Sequence, residues 1–146
     1  MTTEYRKPLP LPLNPAPSQE YWDAAKRHEL VLPRCTHCGR IFWYPREQCP
    51  NPTCFSDARL GKDIGWTKAS GKGRLYSYTI VHEAAAGFEG DAPYILCLVE
   101  LQEGQGLRVM SNLVDCAVED IKIDMPVEAT YDDVTPEWTL VKFKPA

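Results

Sequence analysis

Cys35, Cys38, Cys49 and Cys54 fall within twenty residues of one another. Four thiolates at that spacing can close a tetrahedron around one metal ion. The segment reads Cys35-Thr-His-Cys38-Gly39, then Ile41-Phe42-Trp43-Tyr44-Pro45, then Cys49-Pro50-Asn-Pro-Thr-Cys54, so two turn-borne pairs flank a short aromatic hairpin. Gly39 and Pro50 suit tight turns that aim backbone amides at sulfur and stabilise its negative charge. Zinc held by four cysteines keeps no open coordination position, which makes its expected role structural, with one ion per chain. The same residues would also serve an iron redox site, which would colour the protein red, or two disulfides. His37, inside the first pair, is an alternative ligand, although a turn residue facing solvent is the plainer reading.

Other residues with chemistry to offer are scattered. Ser70-Gly71-Lys72-Gly73-Arg74 exposes two glycine amides beside two cations, as a phosphate cradle does, but it lacks the spacing of a P-loop and also reads as a turn that opens a strand. Lys68, Lys72 and Arg74 are the cations expected to meet such a phosphate. His82 ends the strand that follows, and Phe88 stands at the tip of a glycine-flanked loop, so both are candidates for contact with a partner. Tyr21 and Trp22 are two more. Cys116 has no cation or histidine beside it in sequence and reads as inert packing, and Cys97 reads as a buried strand residue. No nucleophile elbow, histidine metal pair or acid–base dyad is recognisable, so no catalytic residue is assigned.

These residues need elements to carry them. The chain has 146 residues, 44% hydrophobic and 25% charged, which fits one domain with a small appendage. It shows no signal peptide and no apolar run near the roughly 20 residues that span a bilayer. A cytoplasmic location is therefore expected, where cysteine clusters are more often metal ligands than disulfides. Residues 1–17 hold five prolines between Pro8 and Pro17, an extended arm expected to lie along a surface. Residues 18–33 are expected to hold a helix capped by Ser18, with Tyr21, Trp22, Ala25 and Leu30 as its apolar groups. The metal knuckle occupies 34–65. From Trp66 to the end at 146 the pattern turns to period two, and strands are expected at 74–82, 94–101, 107–114, 127–131 and 138–143. Five strands with a short helix near Cys116 to Asp120 fit a closed barrel of the oligonucleotide/oligosaccharide-binding (OB) type.

The order of these motifs resembles the DUF35 family. The resemblance rests on the helix with Tyr21-Trp22, the cysteine segment with Pro45-Arg46 and Cys49-Pro50, and Ser70-Gly71-Lys72-Gly73-Arg74-Leu75-Tyr76-Ser77-Tyr78-Thr79. Pro93-Tyr94-Ile95, Val99-Glu100-Leu101, Ser111-Asn112-Leu113-Val114 and Met125-Pro126-Val127 continue it, so it covers nearly the whole chain from Ser18. The second cysteine pair, with four residues between, departs from the two often found in the family. The resemblance implies a mainly β protein: an N-terminal helix, a rubredoxin-like zinc ribbon and a C-terminal five-stranded OB-fold barrel. It further implies a non-catalytic accessory subunit beside a thiolase-like enzyme that supplies the nucleophilic cysteine, with an acyl-CoA site shaped or shared by this chain, or else beside an acyl-CoA hydratase or aldolase. Two-fold symmetry suggests two copies of each chain. The competing class, a nucleic-acid binder using Tyr76 and Tyr78 on one strand face as stacking platforms, is opposed by a net charge of −4.

Overall fold

The protein is described from a computed structural model, which covers residues 4–9, 17–54 and 63–146. Helix α1 (Gln19–Lys26) leads into strand β1 (Val31–Cys35), which pairs antiparallel with β2 (Ile64–Lys68). The remaining strands are β3 (Lys72–Val81), β4 (Tyr94–Leu101), β5 (Arg108–Leu113), β6 (Pro126–Asp133) and β7 (Thr139–Pro145). They close a barrel in the order β3-β4-β5-β7-β6, with β5 and β7 parallel through Leu113 and Phe143 and β6 returning to β3 through Glu128 and Lys72. The described residues are thus mainly β, with one short α-helix, a cysteine-cluster ribbon and a five-stranded OB-type barrel.

The helix is shorter than expected. Ser18 occupies its N-cap, yet the hydroxyl makes no capping bond, and Gln19 instead reaches Asp23 at 3.0 Å. The helix ends because His28 turns into the left-handed region at φ 58. The Glu29 amide then donates back to the Ala24 carbonyl at 3.0 Å, which frees the chain to run straight into β1. The segment expected as 18–33 therefore holds a helix and the start of a strand. Trp66 does not open the barrel either, since it pairs with Pro33 in the β1–β2 hairpin. The barrel strands fall close to the expected ones, and a 3-10 turn, Val118–Asp120, fills the expected place between β5 and β6.

One cluster of buried side chains unites these pieces. Leu75, Val99, Val109, Val127 and Phe143 fill the barrel, and Tyr21, Ala25, Leu30 and Leu32 belong to the same cluster. Each large aliphatic or aromatic group so buried contributes about 1.5–3 kcal/mol relative to exposure. Gly73 is required where β3 crosses β4, because a Cβ there would meet the Glu100 carbonyl at 2.5 Å and Val99 Cγ1 at 2.8 Å. Between Leu75 and Ser77 the register shifts by a β-bulge. Of the proline-rich arm, residues 10–16 lie outside the described residues. The described piece runs along the barrel, where Lys7 pairs with Asp91 at 2.5 Å. No helix among the described residues is long and apolar enough to cross a membrane.

Candidate metal centre and surrounding polar groups

The ribbon brings the four cysteines together. Their sulfurs all lie within 4.8 Å of one another, with Cys35 to Cys54 at 3.9 Å and Cys38 to Cys49 at 3.6 Å. A tetrahedron of zinc–sulfur bonds about 2.3 Å long has an edge of about 3.8 Å, so the set fits zinc and is full without a water or substrate position. Local backbone geometry produces this arrangement. Gly39 at φ 75 folds the first knuckle, so its amide meets the Cys35 carbonyl at 2.9 Å while the Cys38 amide points at Cys35 Sγ at 3.5 Å. In the second knuckle the Cys54 amide reaches the Asn51 carbonyl at 3.0 Å. The Arg40 backbone N–H, followed by the Asn51 side chain, pulls the Cys38 thiol down to about 6. Burial pushes Cys49 up to about 12. Uptake of an ion must therefore displace a proton from at least Cys49.

The expected cofactor cations do not form one cluster free for an anion. Lys68 is bound to Glu29 at 2.9 Å. Arg74 lies between Glu100, at 2.8 Å, and Asp124. Lys72 alone has no ion pair among the described residues, and it lines two shallow cavities, one with Arg74 and one with Lys68. His82 lies just beyond the far end of β3, roughly 30 Å from Lys72 at the usual rise of about 3.3 Å per residue, and Phe88 lines a cavity with Ile80 near that same end. His82 is exposed. Phe88 is half-buried and turned back onto its own barrel, where it lines a cavity of 650 Å³ with Tyr5, Tyr94, Leu96 and Leu140.

The helix aromatics also look inward. Tyr21 is only 8% exposed and its ring lies 4.9 Å from Trp22 and 5.2 Å from Trp43. Burial, chiefly, raises its phenol far above the ordinary range. Trp22 is half-buried and meets Trp138 edge-on at 5.3 Å. Tyr76 and Tyr78 do not share a face. The bulge leaves Tyr76 outside, with the Arg108 guanidinium 3.7 Å over its ring, whereas Tyr78 packs against the core. Burial together with Asp120 and Glu119 raises the Cys116 thiol, and burial pushes Cys97 up to about 11, which makes both poor nucleophiles at neutral pH.

Two polar constellations escaped sequence reasoning. Glu100, 8% exposed, accepts from Arg74 at 2.8 Å, from the Gly106 amide at 3.1 Å and from Arg108 at 3.2 Å. Arg74 first, then the Gly106 amide, holds its carboxyl below the ordinary glutamate range. His28 stacks on Tyr131 with ring centroids 5.1 Å apart and places Nε2 2.9 Å from Asp133, tying the end of α1 to the barrel. The only trace of the first in sequence is an acid that interrupts an apolar strand. The second joins residues 105 apart and leaves no local pattern.

Fold and cysteine cluster together define a protein in which a rubredoxin-like ribbon is joined to an OB-fold barrel. Family models agree: one described as the ChsH2 rubredoxin-like zinc ribbon domain matches residues 22–58, and one described as the ChsH2 C-terminal OB-fold domain matches 66–132. The chain belongs to the DUF35 family. It is 39% identical over 106 residues to a DUF35 domain-containing scaffold protein of Methanocaldococcus jannaschii, covering 73% of this chain and 70% of that one. It is 36% identical over 150 residues to a probable enoyl-CoA hydratase alpha subunit of Thermomonospora curvata, covering 99% of this chain but 44% of that protein, so it spans less than half of that relative. Among solved structures, a chain of the Ltp2-ChsH2(DUF35) aldolase superposes with a TM-score of 0.73 at 36% identity, covering 88% of this chain and 93% of that chain.

Proposed function

We propose that this chain is a non-catalytic accessory subunit that binds an enzyme acting on acyl-CoA and helps form or organise its site, with Cys35, Cys38, Cys49 and Cys54 holding one structural zinc. The observation that carries this reading is the likeness, over nearly its whole length, to a chain of the Ltp2-ChsH2(DUF35) aldolase. The residues agree with it. The metal set is closed and the cysteines outside it have raised thiols, which supports a reading in which the reacting groups belong to the partner. The partner would be thiolase-like, supplying the nucleophilic cysteine for acyl transfer or for making or breaking a carbon–carbon bond. A hydratase partner is the second reading, favoured by the hydratase alpha subunit among the relatives. Lys72, with no ion pair among the described residues, is the cation best placed to meet a coenzyme A phosphate, and a cytoplasmic complex with two copies of each chain is the expected assembly.

The test is a tagged pull-down from the native host at moderate salt, with mass spectrometry of the co-eluting chains and metal analysis of the same sample. Recovery of an acyl-CoA enzyme in stoichiometric amount, with zinc bound, is the expected result. Thiolase and hydratase partners are then distinguished by assaying the recovered complex for acyl transfer and for hydration of an enoyl-CoA. Recovery of the chain alone, or with nucleic acid, would overturn the proposal.

A further inference from the structure

Strand β4 is apolar on both of its faces. Ile95, Cys97 and Val99 belong to the barrel core, and the alternate residues Tyr94, Leu96 and Leu98 face outward and are half-buried. An antiparallel strand whose outer face meets water ordinarily carries polar residues there, so the outer face of β4 has the character of one that is covered. The cover within the chain is partial. The described arm lies on this face, where Tyr5 and Lys7 form one wall of the 650 Å³ cavity and Phe88, Tyr94, Leu96, Val114 and Leu140 form others. These five apolar groups are half-buried and not sealed off, so a molecule in the cavity can touch them. The arm itself is held lightly. Lys7 pairs with Asp91 at 2.5 Å, but both side chains are more than a third exposed, and an ion pair so placed contributes little. Pro8 packs against Gly87, where a Cβ would meet its ring at 2.9 Å.

Charge limits what this cavity can take. Of the cations on its wall, Lys7 is bound to Asp91 and Lys142 to Asp132, each at 2.5 Å. The wall charge left without an ion pair among the described residues is Asp115, an exposed acid. A phosphate or carboxylate would therefore find no free cation and would meet a like charge. The volume and the mostly aliphatic and aromatic walls are those of a small-molecule site. With the arm as one wall the space is concave, which suits a small molecule better than the flat face of another protein. We propose that the cavity between the N-terminal arm and the outer face of β4, β5 and β7 binds an uncharged apolar small molecule, with Tyr5 and Lys7 closing over it. Asn112 supplies a polar handle, since its side-chain N–H donates to the Ile95 carbonyl at 3.1 Å and leaves the amide oxygen on the wall. The site needs nothing from a partner chain, so it stands or falls apart from the accessory role.

The zinc-loaded full chain is titrated with the uncharged dye Nile red and binding is read by fluorescence. Saturable uptake of one dye per chain is expected, weakened about tenfold in Leu96→Lys and in Phe88→Lys, each of which sets an ammonium group in the apolar wall. Phe88 stands in the connection between β3 and β4, so its variant decides the matter even if Leu96→Lys disturbs the barrel. Ile123→Lys, at an exposed apolar residue outside the cavity, should leave the affinity unchanged. Lys7→Glu sets two carboxylates face to face where the arm is fastened and should speed release of the dye several-fold in stopped-flow. The proposal is overturned by an absence of saturable binding, by an equal loss in Ile123→Lys, or by a release rate that Lys7→Glu leaves unmoved. Tighter binding of the anionic dye anilinonaphthalene sulfonate, or displacement of Nile red by coenzyme A, would overturn it too. When the enzyme recovered from the native host is added, dye that stays bound supports the proposal, whereas displaced dye assigns this face to the subunit interface and sinks it. A chain that recovers no acyl-CoA enzyme defeats the accessory role and leaves the dye titration to judge the cavity.

Discussion

A thiolate tetrahedron has no redundancy, so each cysteine of the ribbon matters out of proportion to its size. Cys38 is exposed and its side chain packs little, yet Cys38→Ser should bring zinc from one ion per chain to nearly none and lower the melting temperature, as read by metal analysis and calorimetry. Cys116→Ser, outside the cluster, should change neither. Glu100 offers a different test. Its pKa is lowered in the folded state by Arg74 and the Gly106 amide, so its stabilisation is present above the unfolded glutamate value of about 4.3 and is lost as pH falls through the lower folded one. Denaturant melts across the acid range should therefore show stability falling below about pH 4.3, and Glu100→Gln should flatten that fall while lowering stability at pH 7. The cysteine cluster was legible because its ligands are close in sequence. The glutamate network was not, because Arg74 and Glu100 meet only when β3 and β4 pair.

Elements follow local rules until packing competes with them. Strand β4 was read with its observed ends because turn residues bracket an apolar run. The helix was read too long, because residues 29–33 suit a helix or a strand and only the hairpin partner Ile64–Lys68 selects the strand. Tyr76 and Tyr78 were read as sharing a face, because a bulge adds one residue and inverts the alternation without a sequence mark of its own. At this scale Gly73→Ala is informative. The added methyl would collide with the β4 backbone, so a loss of about 1–3 kcal/mol in urea unfolding is expected. An Ala at Gly90, where nothing lies within 4 Å, should cost far less.

At the level of the whole molecule, two cores lie side by side. Cys35, Cys49 and Cys54 form one small cluster with Ile64, while the helix, the base of the hairpin and the barrel share the other. Removal of metal by a strong chelator should therefore release the knuckle and leave the barrel folded. Hydrogen exchange would show protection lost around residues 35–54 and kept in β3 to β7, and global loss of protection would show instead that the two cores act as one cooperative unit.

By itself the sequence determined the metal cluster, the period-two strands and the family, since each is written in local spacing that survives whatever the rest of the chain does. Only the tertiary structure decided which groups remain free to act. It bound Lys68 and Arg74 to carboxylates, sank Tyr21 into the core, and brought Tyr5 and Leu140, from opposite ends of the chain, to the wall of one cavity. Ion pairing, burial and cavity walls are relations between residues distant along the chain, and no local pattern records them until the barrel closes and the ribbon folds against it.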